Sequence, residues 1–240
     1  MPITCFEKEK VFKIDTTHTS YIIGLADKPA YVGHIYYGAR VEDHDLSYLL
    51  RTAEMPLVPS QNNRDKLLFM DTYPMEYPVH GTGDFRGDAL KVRTEGGHEV
   101  LDLHYVSYEI LEEKPKLQGL PATFGREAQT LKIRMEDWIC GVRAELSYSV
   151  FADSDALMRS VRIINSGKDA VWLEKVLSAS FDMDDTGFDL ITLHGAWARE
   201  RHISRNSLNY GFQGLSSYRG ESSHQHHPFM ALAAKGADQT

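Results

Sequence analysis

The sequence predicts an all-β protein, built as a large antiparallel two-sheet sandwich with few short helices. Short runs rich in Val, Ile, Tyr, Phe and Thr recur along the chain, separated by Gly, Pro, Asp and Asn, which is typical of strands and turns. Sustained 3.6-residue periodicity is nearly missing, which argues against a parallel sheet with helices between its strands. The 240 residues suffice for a self-contained core. The clearest strand segments are Tyr21–Leu25, Val32–Tyr37, Leu101–Ile110, Thr130–Met135, Val142–Phe151 and Met158–Ile164.

Turn signals predict two hairpins. The run Asn165-Ser166-Gly167 offers residues that tolerate positive φ, and strand-like residues precede and follow it, so we expect a hairpin over Met158–Leu177. A second turn, Glu95-Gly96-Gly97-His98, should connect Leu90–Arg93 with Val100–His104.

Helix signals are confined to Leu46–Thr52, where Asp45 is a candidate N-cap. Near the C-terminus, Phe229–Ala234 is an apolar strand candidate, and a polar turn follows it without a second strand. An edge strand without a neighbour is unfavourable. We therefore expect residues 1–240 to form one domain of a longer protein.

Charge and cysteine content narrow the range of partners. The net charge of −8, from 26 basic and 34 acidic residues, does not suit a protein that binds nucleic-acid backbones. The start of the chain lacks an apolar signal region, and no window reaches 18 apolar residues. With only two cysteines as well, we predict a cytoplasmic protein with no membrane partner, no nucleic-acid partner and no cofactor.

Two polar segments resemble metal sites only superficially. His224, His226 and His227 lie within four positions, but on a strand at most two of them face the same side. The run Asp182–Asp189 has a calcium-loop glycine at position 6 but Leu193 in place of the glutamate at position 12. We predict packing for the histidines, a solvated turn for the acidic run, and no metal site.

A search for catalytic residues gives none. No carboxylate pair stands out by spacing, and the sequence has no Gly-x-Ser-x-Gly elbow and no phosphate-binding glycine loop. The segment Leu193–Arg201 is the best binding candidate. It places Trp197 between small residues and before Arg199, Glu200 and Arg201, a combination that suits sugars, whose C–H faces stack on aromatic rings. The alternative is that Trp197 fills the core and Arg199 and Glu200 form a surface pair.

Several long motifs resemble the N-terminal domain of family 36 glycoside hydrolases, the microbial α-galactosidases. They run from about residue 21 to residue 234. The motifs are GAWARER (Gly195–Arg201), Arg205–Leu208, SYRGESSHQHHPFMAL (Ser217–Leu232), Gly33–Gly38, Met75–Pro78, GTGDFR (Gly81–Arg86) and LQGLPATF (Leu117–Phe124).

The resemblance implies a β-supersandwich of the galactose-mutarotase type, followed beyond Thr240 by a (β/α)8 barrel. That barrel carries the aspartate nucleophile and the aspartate acid/base for retaining hydrolysis of terminal α-galactosides such as melibiose and raffinose. The isolated fragment should therefore be inactive. The histidine segment matches a family stretch that usually reads Gln-Asn-Pro-Phe, which also favours a structural role for it.

The family resemblance also implies a tetramer, in which this domain reaches the substrate pocket of a neighbouring subunit. The family's substrate-contacting tryptophan matches Trp197. The family's substrate-contacting aspartate falls on Glu54 in an ungapped alignment. The glutamate side chain is one methylene longer. Trp197, Glu54 and the adjacent Arg199 are the candidate substrate-binding residues.

Two other functions remain open. The chain could be a free-standing carbohydrate-binding module. It could also be an aldose 1-epimerase, which needs two histidines and a glutamate around one pocket. His34, His104, His194 and His224 are candidates for that role by residue type alone.

Overall fold

The computed structural model describes residues 2–26, 31–50, 73–82, 87–119 and 122–238. The chain separates into two compact units, Met1–Met183 and Asp184–Thr240, here called unit 1 and unit 2. The expectation of one domain over residues 1–240 stays a prediction.

Unit 1 is built almost wholly of antiparallel strands. One short 3₁₀ helix, Ser47–Leu49, interrupts its described part. The strands are β1 (Ile3–Phe6), β2 (Val11–Asp15), β3 (Thr19–Ala26), β4 (Tyr31–Ala39), β5 (Leu90–Thr94), β6 (His104–Leu111), β7 (Gln129–Asp137), β8 (Val142–Val150), β9 (Leu157–Asn165) and β10 (Val171–Val176).

Two four-stranded sheets, in the orders β1-β2-β3-β4 and β6-β7-β8-β9, share one hydrophobic core. The first sheet contributes residues such as Ile14 and Ile23, and the second contributes Leu131, Ile133 and Leu146. Buried and less buried residues alternate along β7 and β8, because successive side chains of a strand face opposite sides of the sheet. The predicted all-β antiparallel fold is confirmed.

Unit 2 contains the three-stranded sheet β12-β11-β13. Its strands are β11 (Asp189–Ala196), β12 (Arg199–Ser207) and β13 (His226–Ala233). The predicted strand at Phe229–Ala234 is therefore present as β13, and it pairs with the central strand β11. No helix in the described parts of the chain has the length and apolar character needed to cross a membrane.

Of the helix predicted over Leu46–Thr52, the described residues, which end at Leu50, contain only the 3₁₀ helix Ser47–Leu49. Leu46 occupies the N-cap of the 3₁₀ helix without a side-chain hydrogen bond. Asp45 instead accepts hydrogen bonds from the Ser47 N–H at 2.8 Å and the Ser47 hydroxyl at 2.6 Å. These bonds satisfy the aspartate within a local turn, as short polar side chains often do.

The predicted hairpin over Met158–Leu177 is wrong. Its first strand, β9, pairs with β8, whereas β10 pairs with β5 in a separate two-stranded sheet. The turn between them is fastened to the β7–β8 turn, because the Ser166 N–H donates to Gly141 O at 2.8 Å. Glu174 of β10 forms ion pairs with Lys91 and Arg93 of β5 at 3.1 and 2.9 Å, and these cross-strand contacts favour the observed partner.

The glycine turn after β5 forms as predicted, but the predicted second strand of that hairpin does not. The Gly97 N–H donates to Thr94 O at 3.0 Å, and Gly97 has a φ of +83°, a conformation that glycine adopts readily. The segment that follows is not a strand until His104, and β6 pairs with β7.

A buried carboxylate joins the two large sheets of unit 1. Glu76 is completely buried. It accepts hydrogen bonds from the hydroxyl of Tyr21 on β3 at 2.7 Å and from that of Tyr148 on β8 at 2.8 Å. The guanidinium of Arg159 on β9 lies 3.0 Å from the same carboxylate. Burial and the charge of Glu76 raise the pKa values of both tyrosines, so their hydroxyls remain donors.

Two of the motifs that suggested the family meet at this carboxylate. Gly33 and Met75 form an antiparallel bridge, and the Glu76 N–H donates to Val32 O at 3.0 Å. A Cβ atom on Gly33 would lie 2.2 Å from the Tyr73 ring. The glycine therefore allows the segment that carries Glu76 to lie against β4.

Replacing Glu76 with alanine should destabilise the protein by about 3–5 kcal/mol, because Arg159 would be left buried without its counter-charge. Urea unfolding measures the difference. Glu174→Ala is the matched control, since Glu174 also pairs with two cations but at a more exposed position, and its unfolding midpoint should stay near that of the parent. Equal losses in the two variants would contradict the role given to Glu76.

Candidate functional site

Trp197 lies at the tip of the hairpin that joins β11 and β12 in unit 2. Ala196 pairs with Arg199, which leaves Trp197 and Ala198 as the turn. The Trp197 side chain is 82% exposed. The alternative that this indole fills the core is therefore wrong, and the ring is available to a ligand.

The local sequence explains why the hairpin holds this shape. A Cβ atom on Gly195 would lie 2.3 Å from Arg199 O and 2.6 Å from the Glu200 Cα, so only glycine permits this close approach of the two strands. Ala198 has a φ of +59°, and its N–H donates to Glu200 Oε1 at 3.0 Å. The Glu200 carboxylate thus stabilises the turn from the β12 side.

A bulge follows the turn. Since His194 pairs with His202 and Ala196 with Arg199, Gly195 faces both Glu200 and Arg201. Arg201 has a φ of +62°, a left-handed conformation that is uncommon for a residue with a Cβ atom. Bulges of this kind bend a strand and redirect its side chains, and they are frequent beside functional sites.

A groove of about 540 Å³ lies beside the hairpin. One wall comes from β12 and the other from the segment that leads into β13. In the sheet, β12 and β13 are the two neighbours of β11. The groove residues are Glu200, Arg201, Ser222, Ser223, His224 and His227. Hydroxyl, imidazole, guanidinium and carboxylate groups together make this surface polar.

The end of the sheet remote from the turn is held by an ion pair. Arg205 Nε lies 2.8 Å from Asp189 Oδ2, and the same guanidinium donates to Ala234 O and Ala237 O at 2.9 and 2.6 Å. Hydrogen bonds from Arg205 and Ser207 lower the pKa of Asp189. All three strands are therefore connected at the base of the hairpin.

The histidine segment is divided between two environments. His226 pairs with His194, and their rings meet edge to face with centroids 5.2 Å apart. His194 Nε2 is in turn 2.6 Å from the Thr192 hydroxyl. His224 and His227 line the groove instead. Within the described residues, no group of three or more His, Cys, Asp or Glu side chains is placed to hold a metal ion.

The structure describes two of the three candidate substrate-binding residues. Trp197 and Arg199 are both exposed and adjoin the same turn. Glu54 lies outside the described residues. The sequence analysis placed Arg201 in the candidate binding segment but not among the three substrate-binding residues, and it did not select the two serines of the groove. The left-handed backbone of Arg201 gives no sequence signal, and the Ser222–Ser223 pair drew attention only through the histidines beside it.

The histidines proposed for an epimerase do not form an open site with Glu76. His34 Nδ1 is 3.5 Å from Glu76 Oε2, but the two side chains are only 6% and 0% exposed. His104 pairs with Asp102 at 2.9 Å and contacts the Trp138 ring. The buried His34–Glu76 pair has no surface to receive a sugar. Of the four candidate histidines, His224 lines the open groove, together with His227 and Glu200.

The family comparison agrees with this architecture. The model of the glycosyl hydrolase family 36 N-terminal domain matches residues 30–240. The chain is 36% identical over 242 residues to alpha-galactosidase AgaA of Geobacillus stearothermophilus, covering 100% of this chain and 33% of that protein. It is 38% identical over 244 residues to the bifunctional alpha-galactosidase/sucrose kinase AgaSK of Mediterraneibacter gnavus, covering 100% of this chain and 26% of that protein. The chain thus spans a third or less of these relatives' length.

Solved structures give the same result. The GH36 alpha-galactosidase AgaB of Geobacillus stearothermophilus matches with a TM-score of 0.89 and 38% identity, covering 100% of this chain and 33% of that chain. A substituted AgaA of the same organism, crystallised with raffinose, matches with a TM-score of 0.88 and 37% identity, covering 96% of this chain and 32% of that chain. The chain belongs to glycosyl hydrolase family 36, as the N-terminal domain of that family.

Proposed function

We propose that this chain is the N-terminal, non-catalytic domain of an α-galactosidase that hydrolyses terminal α-galactosides such as melibiose and raffinose with retention of configuration. A retaining mechanism needs two carboxyl groups about 5–5.5 Å apart and no cofactor. We assign both carboxyls to a (β/α)8 barrel beyond Thr240, so the present chain supplies no catalytic residue.

The observation that carries the proposal is the exposed indole of Trp197 at the tip of a well-defined turn. Gly195 lets the two strands approach closely, and Glu200 caps the turn, so the backbone that carries the ring has a defined shape. Galactose has an apolar face of C–H groups that can stack on such a ring. A turn whose backbone is ordered before binding loses less entropy when the sugar arrives.

The proposal includes assembly. We infer that the full-length protein is a homotetramer and that Trp197 of one subunit enters the substrate pocket of its neighbour. Arg199, beside the same turn, and Glu54 would contact sugar hydroxyls as a cation and a carboxylate, which are strong hydrogen-bonding groups. AgaA, a relative, has been crystallised with raffinose and with stachyose, which supports galactosides as the substrate class.

The proposed partner and cellular location follow from this role. The partner is an α-galactoside, and the net charge of −8 gives no reason to add nucleic acid. We propose a cytoplasmic location for the full-length protein.

Trp197→Ala in the full-length protein should lower kcat/KM for melibiose by about 10–100-fold, equivalent to roughly 1.4–2.8 kcal/mol of lost transition-state stabilisation. Steady-state kinetics measure this change in kcat/KM. Trp138→Ala is the matched control, because Trp138 is 62% exposed and also lies in a turn between two strands. It should change kcat/KM by less than about 2-fold. Parent-like kinetics for Trp197→Ala would remove this residue from the site.

Gly195→Ala should also lower kcat/KM while leaving the indole in place. The new Cβ atom would overlap Arg199 O, so the turn must shift, and small misplacements of a positioning residue cost up to about 100-fold. The control is Gly87→Ala, since nothing lies within 4 Å of a Cβ atom there. Matched circular dichroism spectra establish that both variants are folded. Equal activity of the two variants would show that the hairpin geometry is unimportant.

A mixing experiment tests whether Trp197 acts on a neighbouring subunit. Trp197→Ala subunits are unfolded and refolded together with equal amounts of subunits that lack the catalytic nucleophile. If the indole acts between subunits, about a quarter of the sites should combine an intact barrel with an intact Trp197, by random pairing in a symmetric oligomer. Activity would rise well above that of either parent. No rise in verified mixed oligomers would place Trp197 in its own subunit's pocket or outside any pocket.

A further inference from the structure

A small cavity lies on the face of the sheet β6-β7-β8-β9 that points away from the core of unit 1. Leu146 and Tyr148 of β8 belong to that core, so Ser147 between them faces the other side of the sheet. Ser160 of β9 is directly opposite Ser147 in the strand register, and residues paired in this way share a face. Both serines line the cavity.

The connection between β6 and β7 forms the opposite wall of this cavity. It contributes Lys114, Pro115, Leu117 and Thr123. Leu117 and Thr123 belong to the motif LQGLPATF, to which the proposed function gives no role. The cavity has a volume of about 170 Å³, below the range of about 300–1,000 Å³ for pockets that hold drug-sized ligands. The site therefore suits a small ligand.

Most polar side chains of the cavity are not committed to other protein groups. Across the described parts of the chain, no side-chain hydrogen bond or ion pair involves four of the lining residues: Lys114, Thr123, Ser147 and Ser160. Arg159 also lines the cavity, but its guanidinium is paired with the Glu76 carboxylate at 3.0 Å. One ammonium group and three hydroxyls are therefore available to a ligand.

The charge around the cavity is positive, although the chain as a whole is acidic. None of the lining residues is an aspartate or glutamate. Lys132 of β7 is opposite Ser147 in the register, on the same face of the sheet, and adds a second lysine. Its other neighbour in the register, Glu109, is compensated by Arg134 at 2.9 Å. An anion would therefore meet two lysines and no uncompensated carboxylate among these residues.

We propose that this cavity binds a small oxyanion of the phosphate or sulfate type. Lys114 is the counter-ion, and the hydroxyls of Ser147 and Ser160 donate hydrogen bonds from the sheet. A tetrahedral oxyanion has oxygen acceptors on every side, so it can use all of these donors at once, and hydrogen bonds to a charged group are the strong ones. A neutral sugar would gain little from the ammonium charge and would find no carboxylate acceptor in the wall.

Isothermal titration calorimetry of the full-length protein with inorganic phosphate tests this proposal. The parent should show saturable binding, and Lys114→Gln should weaken it by about 10-fold or more, because a charge-assisted hydrogen bond is lost. Lys114→Arg keeps the cation and should bind within about 3-fold of the parent. The double variant Ser147→Ala and Ser160→Ala should also weaken binding by about 10-fold. Circular dichroism spectra that match the parent establish that the variants are folded.

Lys116→Gln is the matched control. Lys116 is an exposed lysine of the same connection that does not line the cavity, and its substitution removes the same charge. The affinity for phosphate should stay within about 2-fold of the parent. Equal weakening in Lys114→Gln and Lys116→Gln would overturn the proposal, because binding would then follow net charge. Parental affinity in Lys114→Gln would overturn it as well, and so would a lack of saturable binding up to about 20 mM phosphate, well above the ~1 mM dissociation constant of a weak site.

A second titration, with glycerol 1-phosphate, distinguishes two sources of the same chemistry. Affinity equal to or above that for inorganic phosphate would identify the phosphoryl group of a larger molecule as the ligand, and weaker affinity would identify the free ion. The site is retained in either case, provided that Lys114→Gln weakens the binding. Because these titrations need no substrate, their outcome does not depend on whether the full-length protein is an α-galactosidase.

Discussion

The buried carboxylate of Glu76 is the constraint on which unit 1 depends. It lies between two sheets that meet mainly through apolar side chains, and it joins them with two tyrosine hydroxyls and one guanidinium. Burying a charge is tolerable only when every partner is present. Apolar packing alone would permit several alignments of the sheets, but this set of four polar groups is satisfied in one of them. The cluster therefore adds specificity to a core whose stability comes mainly from apolar burial.

Unit 2 follows a different principle, since its defining features are at the surface. Its hairpin is shaped by a close strand approach at Gly195, a carboxylate cap from Glu200 and a left-handed Arg201. These are local features of the backbone, and none of them requires a large core. A small three-stranded sheet anchored by the Asp189–Arg205 ion pair is sufficient to hold them. Surface features of this kind tolerate substitution more readily than a packed core does.

The sequence predicted most strands because alternation is a local property that residues such as Leu146–Val150 display directly. The partner of β10 was not predictable in the same way, since it depends on contacts with β5, about 80 positions away. The motif around Glu76 was recognised as a family feature, yet its burial and its tyrosine partners required coordinates. Sequence reasoning found Trp197 by residue type and resemblance. The exposure of the indole depends on the geometry of the hairpin and its bulge. No sequence signal at Arg201 indicates that bulge.

The left-handed backbone of Arg201 has a specific consequence for substitutions at this position. At most positions, replacing arginine with glycine removes a side chain and loosens the backbone, so losses of binding and stability occur together. At Arg201 the backbone already has a glycine-like conformation, so the same change removes the guanidinium while relieving strain. Selection for stability alone would therefore favour glycine at this position. Arginine at this position therefore costs backbone free energy, while its side chain forms part of the wall of the groove.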